Sequence, residues 1–161
     1  MIQLTQKERT LLEDQKKHEQ ICIEKYTNYA NQAQSPQLKQ LFQAYAAQEQ
    51  KHYDTINQIL SGQVPNLNQG QQQSAVQQQN AASAAQSATN MQGAMANQSD
   101  ASLLNDMLMT EKYVSSAYNT AIFEFTDSNV RQTLNHIQKE EQQHGEGLFN
   151  YMQSHGMYNP Q

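Results

Sequence analysis

Tryptophan is absent from the chain, cysteine occurs once, at Cys22, and there are only 3 prolines. A single cysteine excludes an internal disulfide and suits a reducing compartment, where a lone thiol serves as a small buried apolar residue. No apolar run approaches the roughly 20 residues needed to span a membrane, which argues against membrane insertion. The opening stretch, Met1-Ile2-Gln3-Leu4-Thr5-Gln6-Lys7, lacks the apolar core of a signal peptide, so none is expected. The charge is short on one sign: 10 Lys and Arg stand against 15 Asp and Glu, for a formal net charge of −5. That balance offers no basic patch for nucleic acid. What is abundant is Gln, Asn and Ala, a composition that favours helix or linker over sheet. The 161 residues are enough for one domain with a core of its own.

The apolar residues recur at helical spacing in four segments. The first opens at Thr5-Gln6-Lys7-Glu8, a capping box in which Thr5 and Glu8 satisfy each other's backbone amides. Its stripe runs through Leu11, Leu12, Glu19, Ile23, Tyr26, Ala30 and Ala33, and leaves Glu8, Glu13 and Glu24 to solvent. Ser35-Pro36 supplies an N-cap and a first-turn proline for the second helix, which Gly62 ends. The Gln-, Asn- and Ala-rich stretch 62–99 reads as a linker, with some helical tendency near residues 80–95. Asp100 is the expected N-cap of the third helix and Asp127 that of the fourth, which stops at Gly156. The domain therefore divides into a first hairpin (5–61), a linker (62–99) and a second hairpin (100–156).

Two short stretches organise the rest. Glu49-Gln50-Lys51-His52 recurs ninety-two residues later as Glu141-Gln142-Gln143-His144. Positions three apart share a helix face, so each stretch presents a carboxylate beside an imidazole. Thirty residues upstream of each lies a further glutamate, Glu19 or Glu111. The same shift superimposes Leu11 and Leu12 on Leu103 and Leu104, Asp14 on Asp106, and Tyr26 on Tyr118, so the two hairpins are repeats. Within each hairpin the two glutamates are equidistant from the turn and face one another at about 22 Å along the axis. Four glutamates could not all ionise inside an apolar bundle without compensation, and two divalent cations would supply it. One Glu from each of two helices and Glu-x-x-His from each of the other two is a known two-metal ligand set.

Carboxylate with imidazole suits iron or manganese. The expected metal ligands are Glu19, Glu49, His52, Glu111, Glu141 and His144. Glu49 or Glu141 are candidates to bridge, with Glu19 and Glu111 terminal, although spacing leaves the bridging choice open. Tyr26, Tyr118, Tyr45 and Tyr53 lie four or seven residues from these glutamates, as hydrogen-bond donors to ligands, redox relays or plain core aromatics. Asp14 and Asp106 either support the histidines or lie on the polar surface. His18, His136 and His155 are assigned to the surface or edge.

This ligand set resembles the ferritin-like superfamily, which includes ferritins, rubrerythrins and manganese catalases. The resemblance implies a four-helix bundle whose long crossover makes the second and third helices parallel. Within it, the stretches Leu103-Leu104-Asn105-Asp106, Glu111-Lys112-Tyr113, Glu140-Glu141-Gln142-Gln143-His144 and Tyr151-Met152-Gln153-Ser154-His155-Gly156 look like the spore coat F family of endospore-forming bacteria. That implies a protein made in the mother-cell cytoplasm, deposited on the spore, and associated with other coat proteins or with itself. The ligand chemistry fits a redox centre acting on peroxide or dioxygen. The alternative is a structural coat component in which the metal site is a staple or a vestige.

Overall fold

The computed structural model describes residues 1–63, 65 and 91–158, and for 91–97 the helical backbone course alone. Four helices account for the fold: α1 (Gln6–Gln32), α2 (Pro36–Leu60), α3 (Met91–Ile122) and α4 (Ser128–Ser154). Among the described residues there is no strand, and no helix is long and apolar enough to cross a membrane. The chain is all-α, as the periodicity predicts.

The caps are those the sequence announces. Thr5 and Glu8 close the capping box of α1. Ser35 caps α2, with Pro36 at the first turn. Asp127 accepts from the amides of Asn129 and Val130 to start α4. Gly62 and Gly156, just past the ends of α2 and α4, adopt φ of 84° and 69°, a left-handed conformation open to glycine at little cost.

Two expectations need correction. Helix α3 is under way by Met91, nine residues before Asp100, in a stretch whose alanines suit helix. Asp100 does not cap it; its carboxylate accepts instead from the backbone amides of Gln34 and Ser35, in the turn between α1 and α2, at 2.8 and 2.9 Å. Glu8 is not solvated but buried, and beyond its capping role it accepts from the Thr126 amide and hydroxyl at 2.7 and 3.0 Å. Most of the expected linker, 64 and 66–90, lies outside the described residues.

These two carboxylates also fix the topology. Asp100, early in α3, meets the end of α1, while Thr126, after α3, meets the start of α1, so α1 and α3 are antiparallel. Since α1 and α2 also form an antiparallel hairpin, α2 and α3 run parallel, as the ferritin-like resemblance implies. Residues 61 and 91 therefore stand toward opposite ends of a bundle whose helix α2, at 25 residues, is about 37 Å long. The hairpins join chiefly through α1 against α3.

The core comes in two apolar layers. One holds Leu12, Ile56, Ile59, Val114, Phe125 and Leu134. The other holds Ala30, Leu38, Phe42, Leu104, Met107, Leu148 and Met152. Full burial of each large side chain contributes about 1.5–3 kcal/mol. Between the layers lies a buried polar band, Glu19, Glu49, His52, Glu111, Glu141 and His144.

Candidate metal centre

All six expected ligands converge. Two overlapping sets, Glu19–Glu49–His52–Glu141 and Glu49–Glu111–Glu141–His144, each offer four ligand atoms within 4.8 Å of one another. Glu49 and Glu141 belong to both sets. Both imidazoles turn Nδ1 inward: His52 Nδ1 lies 3.0 Å from Glu49 and 3.2 Å from Glu141. His144 Nδ1 lies 3.1 Å from Glu49 and 3.4 Å from Glu111. The heptad-like spacing of each stripe is what brings these side chains to one level, because the helices cross the centre at mid-length.

The electrostatics are those of a crowded carboxylate cluster. Burial pushes Glu19 and Glu111 well above the usual carboxylate range, and the charge of Glu141 pushes them further. Burial acts to raise Glu141 too, but His52 and His144 outweigh it and hold it well below. Glu49 is likewise held below, by hydrogen bonds from His144 and His52 against burial and Glu141. Burial opposes charge on both histidines, yet the surrounding glutamates raise them well above the usual imidazole value. Glu49 and Glu141 are thus the carboxylates that ionise most readily, and Glu19, Glu111 and the two imidazoles are the groups that hold protons most tightly.

The residues fit a bound metal. Four buried carboxylate oxygens, Glu19 Oε2, Glu111 Oε2 and both of Glu141, accept no well-aligned hydrogen bond, although an imidazole Nδ1 lies 3.2–3.6 Å from three of them. Orphaned buried acceptors are costly, and a cation would satisfy them. The cluster can therefore hold metal ions through an oxygen-rich donor set that includes two imidazoles.

The tyrosines divide. The Tyr26 hydroxyl donates to Glu111, and the Tyr118 hydroxyl donates to Glu19, each reaching across to the other hairpin. Burial, with the glutamates nearby, pushes both phenols up, so they stay protonated donors. Tyr45 makes no hydrogen bond to a ligand; its ring stacks on His144 at 4.3 Å. Tyr53 does not join the centre. It is half-buried, with the Lys16 ammonium 5.7 Å from its ring, and follows the inward-facing His52 by one residue, about 100° round the helix. Asp106 takes Lys25 and Tyr29, and Asp14 is exposed near Lys17, so neither supports a histidine. Cys22 is buried, its thiol pushed up by burial and the nearby glutamates, and is not reactive.

One residue escaped the sequence reading. Glu140 reaches from α4 to His52 Nε2 at 2.8 Å, and also lies 3.4 Å from His136 Nε2. Its position beside Glu141 was a signal, but nothing in sequence says which way a carboxylate off the main stripe will lean. A groove of about 380 Å³ between α3 and α4 reaches the centre, with Glu111 and Glu141 in its lining beside Ser115, Ser116, Asn119 and Gln138.

The fold and centre thus define a four-helix bundle with a buried carboxylate–histidine cluster able to hold metal. In the comparison with known families, residues 99–161, which span the second hairpin, match the Coat F domain. The chain is also 36% identical over 59 residues to the uncharacterized protein YusN of Bacillus subtilis (strain 168). That match covers 37% of this chain and 54% of YusN, about half of its length. No solved structure matches the chain.

Proposed function

We propose that the chain acts as one domain of the spore coat and binds two iron or manganese ions through Glu19, Glu49, His52, Glu111, Glu141 and His144, as a centre that reacts with peroxide or dioxygen. The observation that carries this reading is the pair of four-ligand sets sharing Glu49 and Glu141, with four buried carboxylate oxygens that accept no well-aligned hydrogen bond. The Coat F domain supports the location. It covers Glu111, Glu141 and His144; the first hairpin supplies the other three ligands through the internal repeat.

Bound iron or manganese would supply the redox change and Lewis acidity. The chain's own residues supply the rest. Glu49 and Glu141 lie where they can serve both ions. Tyr26 and Tyr118 hold Glu111 and Glu19 in place by donating to one carboxylate oxygen and leaving the other free. The apolar layers above and below exclude water from the centre. The groove between α3 and α4 gives a small solute a way in.

A second reading, a non-catalytic coat component stapled by metal, draws on the depth of the cluster: Glu19, Glu49 and Glu141 are fully buried. Metal content and turnover separate the two. Protein that carries two ions yet consumes neither peroxide nor dioxygen supports the staple; protein that consumes either supports the redox centre.

A further inference from the structure

The repeat is faithful at the six ligands and broken just outside them. The partner of His52 Nε2 is Glu140, at 2.8 Å. Ninety-two residues earlier the equivalent position is Gln48, a neutral amide. His136, which approaches Glu140 from behind, is matched by Ala44. On the other side, His144 is held by the face of Tyr45, whose equivalent is Ile137. Gly147 is what admits Tyr45: a Cβ there would sit 1.8 Å from its hydroxyl, and the equivalent residue is Thr55. One imidazole is thus backed by a carboxylate and the other by an aromatic ring. The groove adds to the inequality, because it is lined by Glu111, which belongs to the His144 set alone, beside Glu141, which belongs to both sets.

A carboxylate on the outer nitrogen of an imidazole fixes the tautomer that leaves the inner nitrogen free to ligate, and makes that nitrogen more basic. A ring face does neither. We infer that the two halves of the centre are unequal: the Glu19/His52 half, with Glu140 as its positioning residue, takes a divalent cation first and holds it, while the Glu111/His144 half fills second and exchanges its ion through the α3–α4 groove. The inference rests on the metal reading above and goes beyond it.

The test is a titration of the chelator-treated full chain with Mn(II), following unbound ion by its electron paramagnetic resonance signal. The wild type fills in two steps of one ion each, separated by about tenfold or more, and Glu140→Gln weakens the first step by about 10–100-fold while sparing the second. In zinc-loaded protein, 15N spectra of the imidazoles show the same variant shifting His52 and leaving His144 in place, which a general loss of packing would not do. A challenge of loaded wild type with chelator needs no variant: one ion per chain leaves fast and one slowly. Two equal ions in the wild type, or a variant that weakens both steps or neither, overturns the inference while the metal reading stands. A wild type that binds no Mn(II) overturns both.

Discussion

Loading the centre should expel protons, because four of its six groups are shifted toward their protonated forms. In the metal-free cluster Glu49 and Glu141 are held below the usual carboxylate range, Glu19 and Glu111 above it, and both histidines are raised. The four raised groups, two carboxyls and two imidazoles, are the ones expected to hold protons at neutral pH. Ligation through all six residues requires every carboxylate ionised and both Nδ1 atoms free. Two divalent cations therefore displace about four protons per chain, a charge-neutral exchange in a buried site. Calorimetric titration in buffers of different ionisation enthalpy reads that number directly, and overall affinity should rise steeply with pH. The metal-free fold should respond in the opposite sense. The raised groups keep protons that the unfolded chain releases above about 4.5 for the glutamates and 6.5 for the histidines. Their contribution is thus present at low pH and is lost as pH rises through the folded values, by up to about 1.4 kcal/mol per pH unit for each retained proton. Glu49 and Glu141 act the other way, and their contribution fades as pH falls below about 4.5. Release of one proton or none on loading, or metal-free protein that gains stability between pH 7 and 9, would refute the protonation pattern.

The remaining predictions concern the frame. Asp100→Ala strips the acceptor from two backbone amides of the α1–α2 turn and should cost about 1–3 kcal/mol in urea denaturation. Glu8→Ala removes its repeat equivalent, together with a capping box, and should cost as much or more; a loss below about 0.5 kcal/mol in both would mean water replaces these carboxylates. Gly147→Ala should cost about 1–3 kcal/mol by driving Tyr45 off His144. Adding Tyr45→Phe, which deletes the colliding hydroxyl, should recover part of that loss; no recovery would place the strain elsewhere.

Much of this architecture was legible because the four clustered glutamates sit on the same stripes as the core, so one periodicity reveals both the bundle and the buried cluster within it. The caps at Thr5, Ser35 and Asp127 are local chemistry and read directly. Topology was not legible, since residues equidistant from a turn meet at one height whichever way the second hairpin runs. It took Asp100 against Gln34 and Glu8 against Thr126 to decide it. These two pairs are themselves related by the ninety-two-residue shift, as are Tyr26–Glu111 and Tyr118–Glu19. Glu8 did carry a signal: it precedes buried Leu12 by four positions and Glu19 by eleven, on the stripe that continues through Gln15 and Cys22. Its charge pointed to solvent, although a carboxylate with three backbone and hydroxyl donors can be buried. Of the readings open for Tyr53, its half-buried place beside Lys16 favours the plain aromatic, one residue round the helix from the inward-facing His52.

Metal content decides the central claim. The full chain, purified without added metal or chelator, should contain close to two iron or manganese ions by mass spectrometry, and the Glu49→Gln/Glu141→Gln variant, folded by circular dichroism, should contain none. Wild type that stays metal-free after anaerobic loading with either ion, or a folded variant that keeps the wild-type stoichiometry, would contradict the account.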